Sequence, residues 1–182
     1  MWGIIKRTFK YMKKEIFKKL FSAHVRSHLE YAIQFWCPYL RKDINNIESV
    51  QRRATKTIPE LKDLSYPERL KQLDMPTLAY RRLRGSMIEV YKLINIYDKD
   101  VTAQFHTRET STRGHKQKIF VKAAKKHHPK HHAFHQRIAN PWNSLPAEVV
   151  ESPSLDTFKN RLDKHWSDLP LKFNPDARDF QT

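Results

Sequence analysis

Six histidines, His115, His127, His128, His131, His132 and His135, crowd residues 115–135, and imidazole is a common ligand for zinc, copper or nickel. His127 with His131 and His128 with His132 stand at i, i+4, the spacing that places two ligands on one face of a helix. Pro129 interrupts that helix. No Glu follows the first histidine in the zincin pattern, and the nearest acids are Glu109 and Glu148. The pattern reads as surface histidines, and no metal is assigned.

Two-metal chemistry needs carboxylates held close together. The nearest approach is Asp98-Lys99-Asp100, where a lysine separates the acids within a polar stretch; no Asp-Asp pair occurs. Nucleophilic chemistry has no Gly-x-Ser-x-Gly elbow, and the three glycines, Gly3, Gly85 and Gly114, are too dispersed for a phosphate-cradling loop. No catalytic residue and no cofactor are assigned.

What remains is charge. The 182 residues carry a net charge of +16, a field that attracts polyanions. It is unevenly spread: residues 1–30 hold +6, 31–105 hold +4, 106–137 hold +8 and 138–182 hold −2. Arg52, Arg53 and Lys56 lie within about one helical turn beside Gln51, and Arg81, Arg82 and Arg84 crowd another short stretch. Lys125, Lys126 and Arg137 belong to KKHHPKHHAFHQR, with Phe134 near Arg137 and Tyr80 beside Arg81. Basic runs with neighbouring aromatics fit nucleic-acid backbones and bases, although charge alone does not separate one polyanion class from another.

The elements that position these residues are helices. Few glycines, 39% hydrophobic residues and helical spacings predict an all-α chain, and its length fits one domain or one domain with an appended smaller lobe. Ile5, Phe9, Met12, Ile16 and Leu20 form a stripe with lysines on the other faces, a basic amphipathic helix. Val25, Leu29 and Ile33 continue it to Phe35 and Trp36, and Pro38 ends it. Asp43 can cap a helix carrying Ile44, Ile47, Val50, Ala54 and Ile58, whose outer face holds Arg52, Arg53 and Lys56. Ser65-Tyr66-Pro67-Glu68 is a capping box opening a helix with Leu70 and Leu73.

Thr77 caps the next helix, which runs to about Tyr97. The arginines near its start oppose the helix dipole unless an anion neutralises them, a pointer to phosphate. Periodicity is lost over 98–136, and the run from His115 reads as an extended basic segment. Trp142 and Leu145 between Pro141 and Pro146 read as an aromatic plug in a turn. Ser154 opens a last helix on Leu155, Phe158, Leu162 and Trp166, and a frayed tail follows Pro170. Three regions result: 1–97, 98–136 and 137–182. The single cysteine, Cys37, beside Trp36 and Pro38, reads as a small buried residue and excludes an internal disulfide. No apolar run is long enough to span a bilayer, and a secretory signal is not expected.

VRSHLEYAIQFWCPY at 25–39, SVQRRATK at 49–56, SYPERLKQLDMPTLAYRRLRGSMIEVYK and RIANPWNSLP at 137–146 stand in fixed order. Together they resemble the part of LINE-type (non-LTR) retrotransposon reverse transcriptases that follows the catalytic palm. Ser27 stands where that family has proline, and Ser86 where aspartate follows RLRG. The resemblance implies a helical, bundle-like thumb over 1–97 and further C-terminal elements. It implies neither polymerase nor endonuclease chemistry, since the Tyr-x-Asp-Asp carboxylates are missing. The implied partners are RNA, RNA–DNA hybrid or DNA backbone, and a separate palm. The implied contacts are Arg52, Arg53, Lys56, Arg81, Arg82 and Arg84, with Arg113 and Lys116 in a TRGH-K stretch. HLEYA and WNSLP are expected to hold the fold. The expected setting is intracellular, in nucleus or cytoplasm. The alternative is an interaction scaffold whose basic amphipathic N-terminus docks on an acidic membrane or protein.

Overall fold

In the computed structural model, residues 3, 7, 13–97, 107–108, 114–120 and 133–177 are described. Ile5, Phe9 and Met12, the start of the predicted N-terminal stripe, lie outside them, as do Asp98, Asp100 and the histidines at 127, 128, 131 and 132. The chain is all-α. The described residues fall into two compact units, one within Met1–Arg82 and Pro170–Asp179, the other within Leu83–Leu169.

In the first unit, Phe17, Phe21 and Val25 recur every fourth residue, which places them on one helix face, and all three are buried. They belong to α1 (Lys14–Phe21) and the π-helical turn Ser22–Arg26 that leads into α2 (Ser27–Glu30). The stripe is therefore shifted from the predicted one: Ile16 is 41% exposed. Ser27 Oγ donates to the Ala23 carbonyl at 2.7 Å, the back-bond by which a hydroxyl competes with the helical ladder. The predicted continuous helix to Trp36 is broken. Tyr31 is extended and Ala32 is left-handed at φ 50°, a conformation that costs a non-glycine residue about 1–2 kcal/mol. The chain resumes as α3 (Ile33–Trp36), with Ile33 buried.

Helix α4 (Arg41–Thr55) begins two residues before the predicted cap, so Asp43 sits in the first turn, where its charge complements the dipole. A 3-10 turn, Pro59–Leu61, leads to α5 (Tyr66–Leu73). The predicted capping box forms: Glu68 Oε2 accepts from the Ser65 amide at 2.8 Å and lies 2.5 Å from Ser65 Oγ. Asp74, left-handed at φ 46°, closes the helix, and the Met75 amide reaches the Leu70 carbonyl at 2.9 Å. Helix α6 (Leu78–Asn95) follows, with Thr77 Oγ1 accepting from the Tyr80 amide at 3.1 Å. Phe17, Phe21, Val25, Ala54, Ile58, Leu61, Leu70 and Leu73 share one core.

Residues 170–177 are ordered, correcting the expected frayed tail. Thr77 donates to the Leu171 carbonyl from Oγ1 at 2.7 Å and to the Lys172 carbonyl from its amide at 2.9 Å. Leu171 is buried.

The second unit takes the rest of α6, whose Met87, Val90 and Tyr91 are buried. It adds α7 (Phe134–Asn143), α8 (Ala147–Val150) and α9 (Leu155–His165). Tyr91 stacks on Phe158 at 4.5 Å, and Trp142 tilts against Phe158 at 6.0 Å. Trp142 is the expected plug, but it stands in the last turn of a helix and not in a loop. Pro141 lies inside that helix, where it has no amide to offer the Arg137 carbonyl one turn back. Ser154 caps α9 as predicted, accepting from the Thr157 amide at 3.2 Å.

Part of the aperiodic region is structured as well. A two-residue antiparallel ladder pairs Thr107 with Ile119 and Arg108 with Lys118. Trp142 Nε1 donates to the Gln117 carbonyl at 2.8 Å, and Asn143 bonds both backbone groups of Ile119 at 2.9 Å.

Candidate nucleic-acid interface

Helix α4 has two opposed faces of different chemistry. Inward, Glu48, Gln51, Ala54 and Thr55 are buried. The Glu48 carboxylate accepts from Tyr66 OH at 2.6 Å and from the Leu78 amide at 3.0 Å. Gln51 Nε2 donates to Tyr66 OH at 3.2 Å and to the Pro76 carbonyl at 3.0 Å. Burial pushes the Glu48 carboxyl up, while the bonds from Tyr66 and Leu78 and the charge of Arg82 oppose that shift. Tyr66 is raised by its own burial and by the adjacent Glu48 charge. Gln51, which adjoins the basic cluster in sequence, is buried instead, its amide nitrogen satisfied by these two bonds while Oε1 has no hydrogen-bond partner.

Arg69 ends the helix. Its guanidinium donates to Thr55 Oγ1 at 3.2 Å, to the Leu64 carbonyl at 3.0 Å and to the Arg52 carbonyl at 3.4 Å. A cation therefore meets the last turn of α4, where carbonyls lack helical partners. Nothing in the local pattern signals this role, since Arg69 lies in the middle of α5.

Outward, Arg52, Arg53 and Lys56 are exposed. The Arg52 guanidinium lies 5.1 Å over the Tyr66 ring, a cation–π contact that holds it in place. Arg53 Nε donates to the Ser49 carbonyl at 3.3 Å. Among the described residues, none of the three forms an ion pair with a carboxylate. Their helix is fixed from behind by the Glu48 and Arg69 networks, so the cations are carried on a braced support.

The second arginine cluster is divided among different jobs. Successive residues rotate by about 100° around a helix, so Arg81, Arg82 and Arg84 diverge. Arg81 forms a two-pronged pair with Glu30, its Nη2 at 2.8 Å from Oε2, and Arg26 approaches the same carboxylate at 3.6 Å. Arg84 makes a fork with Asp163 at 2.6 and 2.7 Å. Arg82 is 3% exposed and faces Cys37 and Glu48; burial lowers its pKa. Cys37, expected buried, is half-buried. The anions that relieve the crowding at the start of α6 are thus Glu48 and Glu30, and Arg82 is removed as a phosphate contact by its burial.

Of the remaining sequence candidates, Lys116 is exposed and Arg137 is half-buried, its guanidinium 5.6 Å from the Phe134 ring. Arg113, Lys125 and Lys126 lie outside the described residues. His115, expected at the surface, is 1% exposed. Its ring meets Trp142 edge-on at 5.9 Å, and Nε2 lies 3.1 Å from the Trp142 carbonyl. The apolar burial that Trp142 requires enclosed the imidazole too. Among the described residues, no three His, Cys, Asp or Glu side chains converge as a metal site, and no described helix is long and apolar enough to cross a membrane. No protein-family model, curated protein or solved structure matches this chain.

Proposed function

We propose that the chain is the thumb-like, post-palm part of a LINE-type reverse transcriptase, without polymerase chemistry of its own, and that it holds RNA or RNA–DNA duplex by the phosphates. The origin is supported by the ordered motifs. The binding is supported above all by one observation: Arg52, Arg53 and Lys56 are exposed side by side at the C-terminal end of α4 with no carboxylate pairing among the described residues. Phosphate contacts carry no sequence information, so the affinity is non-specific and the sequence partner is any such backbone. A palm domain elsewhere would supply the catalytic carboxylates.

The competing scaffold reading needs the apolar face of the basic N-terminal helix left over for a membrane or an acidic protein. In the described part of the N-terminal stretch, Phe17, Phe21 and Val25 are committed to the core, which favours the nucleic-acid reading.

The test is anisotropy binding to an RNA–DNA hybrid across a salt series. Three phosphate contacts correspond to a log K against log salt slope of roughly −2 to −3. Reversing Arg52, Arg53 and Lys56 to Glu should flatten it and weaken binding at low salt, while Arg84→Ala, whose charge is spent on Asp163, should change the slope little. A wild-type slope shallower than about −2, or a slope untouched by the triple reversal, removes this face as the interface.

A further inference from the structure

The segment that follows the broken helix is unusual. Tyr31 is 78% exposed and Phe35 92% exposed, and Trp36, Tyr39 and Leu40 are also exposed. Single exposed apolar residues are ordinary, but contiguous ones mark an interaction surface. Here most of them are aromatic, and they are presented by a specific backbone device. The left-handed Ala32 turns the chain between Tyr31 and the buried Ile33, so one residue anchors the segment while its neighbours stand in water. Trp36 Nε1 donates to the Tyr31 carbonyl, tying the indole to the turn.

Charge decides what could cover this surface. Between His24 and Lys42 the only acid in the sequence is Glu30, and Arg26 and Arg81 already occupy it. The same stretch offers exposed His24, His28, Arg41 and Lys42, with Arg41 3.4 Å from the exposed Asp176. Aromatic faces flanked by basic side chains, with no uncommitted carboxylate in the stretch, match a partner that is itself aromatic and anionic. We infer that Tyr31, Phe35 and Trp36 form a stacking platform for the unpaired bases of single-stranded nucleic acid. The inference rests on the nucleic-acid reading above and adds a single-strand subsite to the duplex-binding face of α4. Every base has a π-face, so the platform is sequence-tolerant.

The experiment compares a fluorescein-labelled oligouridylate with a blunt RNA–DNA hybrid, using the full chain and the Tyr31→Ala/Phe35→Ala variant. Both side chains are exposed, so the variant should melt with the wild type. Loss of base stacking should weaken oligouridylate binding about tenfold or more, with the salt slope unchanged because no phosphate contact is lost, and leave the hybrid unaffected. Phe35→Trp should bind the single strand at least as well as the wild type. Oligouridylate affinity within about twofold of wild type in the double variant overturns the platform. If the Arg52, Arg53 and Lys56 reversal still weakens hybrid binding, the α4 reading survives that failure; if neither nucleic acid binds, both fall. Concentration-dependent dimerisation abolished by the double variant, with single-strand binding intact, would assign the surface to a second copy of the chain and overturn the inference.

Discussion

The carboxylate of Glu48 accepts the backbone amide of Leu78 at 3.0 Å across 30 residues of sequence. A side chain in the middle of α4 therefore serves a buried amide at the start of α6 that has no partner within its own helix. The same carboxylate takes the hydroxyl proton bond of Tyr66 on α5 at 2.6 Å, so one buried acid joins three helices of the first unit.

Removing it leaves buried donors unsatisfied. Glu48→Ala should cost about 2–4 kcal/mol, read as a fall in the urea midpoint at unchanged slope. Glu48→Gln keeps an oxygen for Leu78 and should cost about 1 kcal/mol or less at neutral pH. The pH dependence has a definite sign. Burial raises the folded carboxyl above its unfolded value, so the native state holds more protons than the unfolded chain just above the ordinary carboxylate range. Stability of the wild type should decline there as pH rises, and Glu48→Gln should flatten that decline. An unaltered profile in the variant would mean another group carries the dependence.

Arg82 faces Glu48 and lies buried with Nη1 lacking a hydrogen-bond partner. Each charge favours the ionised form of the other, although no direct ion pair joins them. Arg82→Met should destabilise by about 1–3 kcal/mol and raise the Glu48 carboxyl further, since the Arg82 charge holds it down. The Glu48→Gln/Arg82→Met double variant should cost less than the two single changes added. Hybrid binding by folded Arg82→Met should match the wild type, because the guanidinium does not reach solvent. A several-fold loss of affinity would return Arg82 to the interface.

How much of this was legible follows from what each residue shows locally. The Ser65 capping box and the Ser154 cap were readable because donor and acceptor lie within one turn. The exposure of Arg52, Arg53 and Lys56 followed from the apolar stripe opposite. Glu48 and Gln51 were hidden because hydrophobic periodicity registers apolar residues, and polar ones enter a core only when distant partners satisfy them. The order of residues 170–177 was hidden for a related reason: Thr77 holds the segment through backbone carbonyls, which leave no mark on side-chain pattern. The three arginines of α6 looked like one cluster in sequence and became three separate environments around the helix.

His115 supplies a pH dependence of the opposite kind. Burial lowers its folded pKa, with the Lys118 charge acting in the same direction, and Nδ1 has no hydrogen-bond partner. Its contribution is fully present above the ordinary histidine value and is lost as pH falls below it, since the unfolded chain then takes up the proton first. Acidification from pH 7 towards 5 should destabilise the second unit in the wild type and less so in His115→Gln. Near-ultraviolet circular dichroism against pH reports this through the buried Trp142, whose ring the imidazole meets edge-on. Equal acid sensitivity in the two proteins would assign the effect elsewhere.

Asn143 tests how the second unit holds residues that look irregular in sequence. Its Oδ1 accepts from the Ile119 amide and its Nδ2 donates to the Ile119 carbonyl, both at 2.9 Å. A side-chain amide thus pairs with both backbone groups of one residue, as a neighbouring strand would. Ile119 is buried, so these backbone groups need a partner where water is excluded. Asn143→Ala should cost about 1–3 kcal/mol and speed hydrogen exchange at the Ile119 amide. Asn143→Asp preserves an acceptor for the amide but turns a second oxygen towards the carbonyl, so it should be at least as damaging as alanine. If exchange at Ile119 stays slow in both variants, the Trp142 bond to the Gln117 carbonyl at 2.8 Å is sufficient to hold the strand, and the amide clamp is redundant.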